Sequence, residues 1–502
     1  MKQQLRNILI VLVAAITLSS CYEEYSYLPD NLANKGTLCF NNSLVHFDQS
    51  GQTALVAVPS FEDFNPLVTF VDFREVKIDG TKLENEMKYK FEKLSKQTSF
   101  LLELTNYDGQ TKSYNLQFTL LPVVHIHHKH QLIPDEPKIL AAFTLSDPKA
   151  EKTIIEYCGI ETRGLSAAGL EKKSYNVEIR ENAEENTEKA TSFLGMYQHH
   201  DWMLDGAYMD RSMMRNRVSF EVWDRMQKNA PEQSDLLPSA IDGRFIELFI
   251  NNSYSGVYCL SEKTDHIKLG IETGNNHGYL YKAEDWSDAT KLEGLSDTTR
   301  SNRTWAGWEL KYPDDQTSGS WTPLYGFIED LNAARHDAAG NRLETAVSSD
   351  QLIDYYLFLN LLNGADNVGK NVFLAKKTKN GPFYFCPWDL DATWGRDWET
   401  KPSVYNSMLT FHAFEKMRSL EPEKYSKQLK QRWFHLRNTT LQPDSVVGLF
   451  LGYQHLLNHS GASRREQERW PGSLDNLDAE TKYIDEWSRK RIEYMNQYFS
   501  SF

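Results

Sequence analysis

The chain has 502 residues, 12% of them aromatic, with 55 Lys and Arg against 69 Asp and Glu, for a formal net charge of −14. That length supports more than one hydrophobic core, and the acidic balance argues against a nucleic-acid partner gripped by a basic surface. The five cysteines show no CxxC spacing, which argues against a zinc site.

Residues 1–21 read as an export leader rather than part of the fold. Lys2 and Arg6 supply a charged start, Ile8 to Leu18 an apolar stretch short for a bilayer span, and Leu18-Ser-Ser-Cys21 closes it. The closing tetrapeptide resembles the lipobox of bacterial lipoproteins, which implies lipidation of Cys21 and a membrane partner through that anchor. A plain secretory signal that happens to contain a cysteine is the alternative. Residues 22–35 form a tether whose Tyr22-Glu-Glu-Tyr-Ser resembles the surface-export signal of some Gram-negative lipoproteins. The expected location is the cell envelope, on the outer membrane, facing either the periplasm or the outside.

Residues 36–121 predict a small all-β domain. Leu55–Val58, Val68–Phe73, Tyr89–Phe91, Phe100–Leu104 and Tyr114–Leu120 are short strand runs, with turns at Asp79-Gly80 and Tyr107-Asp108-Gly109. An immunoglobulin-like sandwich acting as a spacer is the natural expectation. His125, His127, His128 and His130 follow, where the chain passes between domains. An exposed strand or linker is favoured there over a metal site.

Residues 122–502 predict a larger α+β domain. Lys173-Ser-Tyr-Asn-Val-Glu-Ile alternates as a strand, and Asp210 to Met226 has helical spacing with Asp210 or Ser212 as cap. Arg244–Ile250 and Ser255–Leu260 are strands joined by a turn at Asn251-Asn252. Ser349 to Asn363 predicts a helix running into Asp366, and residues 409–500 are mainly helical. Cys39, Cys158, Cys259 and Cys386 are scattered, mostly in apolar runs where cysteine acts as a small core residue.

The most chemical stretch is Asp366-Asn-Val-Gly-Lys-Asn371, followed by Trp388-Asp389-Leu-Asp391. Asp-x4-Asn is the spacing of the catalytic aspartate and metal-holding asparagine of protein kinases. Between the two motifs, Val372–Lys377 and Pro382–Cys386 read as strands around an Asn380-Gly381 turn. A hairpin brings its ends together, so Asn371 and Asp389 are expected side by side, where two oxygen ligands could hold Mg²⁺.

Four further motifs occur in order. They are Arg163-Gly164-x-Ser166 with Lys172-Lys173-Ser-Tyr175; His200-Asp201-Trp202 with Asp210 to Asn216; Glu247 to Glu262; and Pro387-Trp-Asp389-Leu-Asp391-Ala-Thr-Trp-Gly395. Over about residues 121–500 the chain resembles the CotH kinases, named for spore-coat protein H. The resemblance implies an atypical protein-kinase-like fold and transfer of the ATP γ-phosphate to Ser or Thr hydroxyls of a protein substrate, with Mg²⁺ or Mn²⁺. It implies Asp366 as catalytic residue and Asn371 and Asp389 as metal ligands. Asp391 is a second carboxylate ligand or a cap. Lys173, with Lys172 as near alternative, would hold phosphate, and Arg163 and Gly164 would line the nucleotide loop. Glu262 has an adenine-side, ion-pair or purely structural role, and Glu221 could pair with Lys173. The chain departs from the family at Ser166-Ala167-Ala168, where a second serine is usual.

Two other readings stand beside the kinase. A catalytically weak or inactive surface binding protein or adhesin would use the same scaffold without the chemistry. A carbohydrate-active enzyme would use Asp389 and Asp391, with Trp305 and Trp308 exposed for sugar stacking.

Overall fold

A computed structural model describes residues 36–502, except 165–168, 184–185, 296–302, 315–317, 336–337 and 473–475. The leader, the tether with Cys21, and the Ser166-Ala167-Ala168 departure lie outside the described residues. The chain forms two compact units, each assembled from separated segments. The first holds Met1–Gly206, Arg244–Ser261 and Leu456–Gly472; the second holds Ala207–Gly243, Glu262–His455 and Ser473–Phe502. Helices and strands are mixed, as the α+β expectation requires.

The first unit begins with nine strands: β1 Thr37–Phe40, β2 Ser43–Asp48, β3 Thr53–Ala57, β4 Leu67–Val71, β5 Glu75–Ile78, β6 Thr81–Lys82, β7 Met87–Lys88, β8 Phe100–Thr105 and β9 Thr111–Thr119. They hydrogen-bond in the order β6-β5-β8-β9-β3-β2-β1-β4-β7, with β3 and β9 parallel. At about 4.8 Å per strand, β8 and β1 would be far apart in a flat sheet. Yet Phe91 touches both Phe40 of β1, centroids 5.2 Å apart, and Phe100 of β8, at 5.3 Å. The ladder therefore folds over on itself around one apolar core, which includes Leu38, Val56, Val76, Leu102 and Phe118. Tyr89–Phe91 is not a strand; its rings plug this core instead.

The rest of the unit is a closed barrel of β10 Val123–His128, β11 Ile139–Asp147, β12 Lys152–Arg163, β13 Ser174–Arg180, β14 Asp201–Asp205, β15 Gly243–Ile250 and β16 Ser253–Ser261. Their order is β10-β11-β12-β13-β14-β16-β15, closed by parallel pairing of β10 with β15. Period-two alternation sends Val124 and Ile126 into the barrel core beside Phe143, Val177 and Trp202.

The same alternation turns His125 and His127 to the other face of β10, so of the expected exposed strand or linker the strand is present and the exposure is overturned. Both are buried, because the first sheet covers them. His125 Nε2 accepts the Asn252 N–H at 3.2 Å, so the proton sits on Nδ1, 3.3 Å from His46 Nδ1. His46 Nε2 then donates to Ser146 Oγ at 3.1 Å, Ser146 to Thr153 Oγ1, and Thr153 to the Asn42 carbonyl. Every nitrogen of His46 and His125 is thus used in its neutral form. Burial and neighbouring imidazoles push His46 down to about 3 and His125 well below the usual range.

The second unit carries a five-stranded sheet of β17 Tyr279–Ala283, β18 Thr304–Trp305, β19 Trp308–Tyr312, β20 Val372–Lys376 and β21 Phe383–Pro387, in the order β18-β19-β17-β20-β21. Its helices include α1 Arg215–Lys228, α2 Thr322–Ala333, α3 Ala338–Ala346, α4 Ser349–Leu362, α5 His412–Leu420, α6 Pro422–Asn438 and, after α7 Pro443–His459 and the first unit's α8 Ala462–Arg469, α9 Leu477–Ser500. Among the described residues no helix is long and apolar enough to cross a membrane. Trp305 and Trp308 are 1% exposed, which removes them as sugar-stacking platforms; Trp308 Nε1 donates to the Ala289 carbonyl inside the core. Cys158, Cys259 and Cys386 are buried, as core cysteines are expected to be.

The histidine chain makes stability pH-dependent. An unfolded imidazole takes its proton near pH 6.5, whereas the folded His46 resists to about 3. The contribution is complete above pH 6.5 and is lost as pH falls, by about 1.4 kcal/mol per pH unit for each imidazole. Urea unfolding between pH 7.5 and 5 should show this acid limb, and the double variant His46→Leu, His125→Leu should flatten it.

Candidate active site

Helix α4 starts on Ser348, whose hydroxyl accepts the Gln351 N–H, and stops at Asn363, a left-handed residue with φ 56°. The Gly364 N–H returns to the Leu359 carbonyl at 3.0 Å, the usual way a helix closes its last turn. The chain then forms a short 3-10 turn, Asp366–Val368. Asn367 in this turn is 1% exposed. Its amide NH₂ donates to the Asn371 carbonyl at 2.9 Å and to the Trp388 carbonyl at 2.6 Å, while Tyr355 of α4 donates to its own carbonyl at 2.8 Å. One side chain therefore ties the Asp366 turn to both strands of the hairpin.

The hairpin pairs Val372 with Pro387 and Lys376 with Phe383. Just beyond that register the Trp388 N–H donates to the Asn371 carbonyl at 3.2 Å, so Asn371 and the Trp388-Asp389 segment are neighbours, as the hairpin argument expects. Both candidate ligands adopt left-handed backbone, Asn371 with φ 54° and Asp389 with φ 53°. That region costs an L-residue roughly 1–2 kcal/mol, least for Asn and Asp, and such strain gathers where geometry serves function. Beyond Asp389, the Leu390 N–H donates to Asn216 Oδ1 of α1 at 3.2 Å, and Arg215 Nε donates to the Thr393 carbonyl at 2.9 Å. Arg215 is itself buried between Asp210, 2.6 Å away, and Glu480 of α9, which also pairs with Arg396. The Asp210-to-Asn216 motif is thus the support behind Asp389 and Asp391. The Asp210 carboxylate also accepts the N–H of Arg215, where α1 begins, five residues later than the spacing suggests.

Asp366, Asn371 and Asp391 are half-buried and Asp389 is exposed. Burial pushes the Asp366 carboxyl up; Lys370 opposes this, and the carboxylates of Asp389 and Asp397 add to it. Two acids that repel each other beside an amide are hard oxygen donors of the kind Mg²⁺ or Mn²⁺ takes. No group of three or more His, Cys, Asp or Glu among the described residues could hold a metal by itself. That is compatible with Mg²⁺, which keeps waters and binds through one or two carboxylates plus substrate phosphates. Asp391 lines a shallow depression with Asp210, Arg211 and Arg396. The sequence reading passed over Lys282 of β17, whose ammonium lies 5.7 Å from the Trp388 ring centroid and pairs with Glu284. A lysine inside an otherwise apolar strand was the available signal. It also passed over Asn367, which reads simply as a spacer of the Asp-x4-Asn pattern.

The remaining site residues fall elsewhere. Glu262 is buried in the second unit, where it accepts the Asp242 N–H at 2.9 Å and pairs with Lys268. Glu221 accepts from Arg225 at 2.7 Å and Tyr453 at 3.0 Å. Arg163, Gly164, Lys172 and Lys173 belong to the first unit. Arg163 ends β12 and Gly164 follows with φ 90°, a backbone that favours glycine. Lys173 is half-buried, whereas Lys172 is 1% exposed. The Lys172 ammonium donates to Glu466 of α8 at 2.7 Å and to the Val257 carbonyl at 2.6 Å, over the Tyr258 ring. The same carboxylate accepts the Val257 N–H, and a Cβ at Gly256 would stand 2.3 Å from it. Glu247 meanwhile takes both Arg465 nitrogens, at 2.7 and 2.6 Å, and the Tyr254 hydroxyl. The Glu247-to-Glu262 motif is largely the socket that receives α8.

A family model described as "CotH kinase protein" matches residues 160–495, well over half of the chain. The chain belongs to the CotH family. One relative is the inner spore coat protein H of Bacillus subtilis (strain 168), 23% identical over 238 residues, which are 47% of this chain and 59% of that protein. The chain therefore matches well under two thirds of that relative's length.

Two stability changes follow. Lys172→Met leaves Glu466 buried without its cation and should cost about 3–5 kcal/mol, far more than Lys173→Met, by urea unfolding. Asn367→Ala removes the side-chain donor of the buried Trp388 carbonyl and should cost about 1–3 kcal/mol, while the Asn371 carbonyl keeps the Trp388 N–H.

Proposed function

We propose that this CotH-family chain is a metal-dependent kinase that transfers the ATP γ-phosphate to a Ser or Thr hydroxyl of a protein. The observation that carries the reading is the strained pair, Asn371 and Asp389, fixed at the base of one hairpin by a buried amide beside Asp366. Left-handed Asn and Asp also occur at ordinary turns of this chain, Asn251 and Asn252 among them, so the support comes from the clamped pairing of these two beside Asp366 rather than from strain alone. When bound, Mg²⁺ or Mn²⁺ with ATP supplies an electrophilic phosphoryl group and neutralises its charge. Asp389 and Asn371 offer the oxygens that would hold the metal, with Asp391 as a further carboxylate. Asp366 orients the acceptor hydroxyl and takes its proton late in transfer, a role suited to a carboxylate whose proton affinity is raised.

In the first unit, the half-buried Lys173 keeps the phosphate-binding role, and the buried Lys172, held by Glu466 and the Val257 carbonyl, is given a structural one. Arg163 and Gly164 keep their assignment to the nucleotide loop, and Glu262 is given a structural one. Export and anchoring through a lipid at Cys21, in the cell envelope, complete the proposal. The spore-coat location named for the relative is consistent with an envelope setting.

Calorimetry with ATP and either metal tests the reading on wild type and on Asp389→Ala. Metal-dependent nucleotide binding that the variant loses is expected, together with metal-dependent phosphate transfer to a protein acceptor that Asp366→Asn lowers by about 10²–10⁴-fold. A folded wild type that binds no ATP with either metal contradicts the proposal.

A further inference from the structure

The first unit holds a cavity of about 180 Å³ that the phosphoryl-transfer reading does not use. It is well short of the ~300–1,000 Å³ pockets of drug-sized ligands. That size suits one small ring. The side walls are aromatic: Phe47 and Tyr114 lie with ring centroids 4.9 Å apart, and Phe73 joins them. The floor is formed in part by His46 and His125, whose nitrogens are all engaged, so they present uncharged ring surface.

A metal does not suit this floor. The proton on His125 Nδ1 points at the only lone pair His46 has free of hydrogen, so neither nitrogen of that contact is available to a cation. A ligand carrying charge to the floor is equally disfavoured, since His46 and His125 are held neutral there. At the mouth stand one carboxylate, Asp72, and one ammonium, Lys112, with the amides of Asn106 and Gln110. Opposite charges of equal number select against net charge in the ligand, and amides serve hydroxyl groups as both donors and acceptors. Tyr114 is 8% exposed, and its hydroxyl makes no hydrogen bond among the described residues.

We propose that this cavity binds a neutral, hydroxyl-bearing ring of monosaccharide size, stacked on the aromatic walls and hydrogen-bonded by Tyr114 and the amides at the mouth. The inference stands apart from phosphoryl transfer and is tested without nucleotide. Saturation-transfer NMR on the full chain with D-glucose, D-galactose, D-mannose and N-acetyl-D-glucosamine should reveal millimolar binding of at least one. Tyr114→Phe should weaken it by about 2- to 10-fold, the worth of one hydrogen bond, and Gln110→Ala, at an exposed position, should weaken it without changing the unfolding midpoint. Three results overturn the proposal: no pyranose binds, binding is unchanged in both variants, or L-phenylalanine binds in preference to every sugar.

Discussion

The amide of Asn367 is the constraint on which the candidate site depends. It has two N–H bonds to give, and it gives them to carbonyls on opposite sides of a hairpin base. Those carbonyls belong to Asn371 and to the residue before Asp389, so the same two bonds fix the backbone at both left-handed positions. A hydroxyl or carboxylate in its place could not donate to both. The clamp is buried under Tyr355, so water does not compete for these bonds, and a buried network that is fully satisfied holds one geometry. From that point, rigidity spreads through Asn216 to Leu390 and through Arg215 and Glu480 to the loop after Asp391.

The first unit solves a different problem, that of burying charged groups in pairs. Lys172, Glu247, Arg465 and Glu466 are all 7% exposed or less, yet each is ion-paired. Such pairs add little net stability over apolar packing, but losing one partner is expensive. They fix where α8 sits, and the left-handed Gly256 makes room for one of the carboxylates. The histidine chain does the same for the two β layers: it is satisfied only when both imidazoles are neutral.

Much of this was legible in the sequence. The hairpin around Asn380-Gly381, helix α4 and the strand after Lys173 announce themselves through period and turn chemistry. The left-handed turn at Asn251-Asn252, with φ 48° and 61°, is equally plain. What was not legible is long-range. That Lys172 meets a buried carboxylate depends on Glu466, nearly three hundred residues beyond it, and no local pattern announces the pair. The histidines read as an exposed strand or linker because they fall where the chain passes between domains; the covering sheet, which carries His46, comes from elsewhere in the chain. Trp305 and Trp308 lie in the core, where tryptophan more often sits than on a sugar-binding surface. Asn367 sat inside a recognised motif and was overlooked because the motif's meaning was attached to its ends.

The family supplies the expectation of phosphoryl transfer, and the hairpin base supplies a physical reason for these particular oxygens. The most direct test is a crystal structure of the chain grown with Mn²⁺ and a non-hydrolysable ATP analogue, with the metal located by anomalous scattering. The account predicts a manganese peak bound by side-chain oxygens of Asn371 and Asp389, at roughly the ~2.1 Å typical of small hard divalent cations. A nucleotide or metal found elsewhere, with Asn371 and Asp389 untouched, would contradict it.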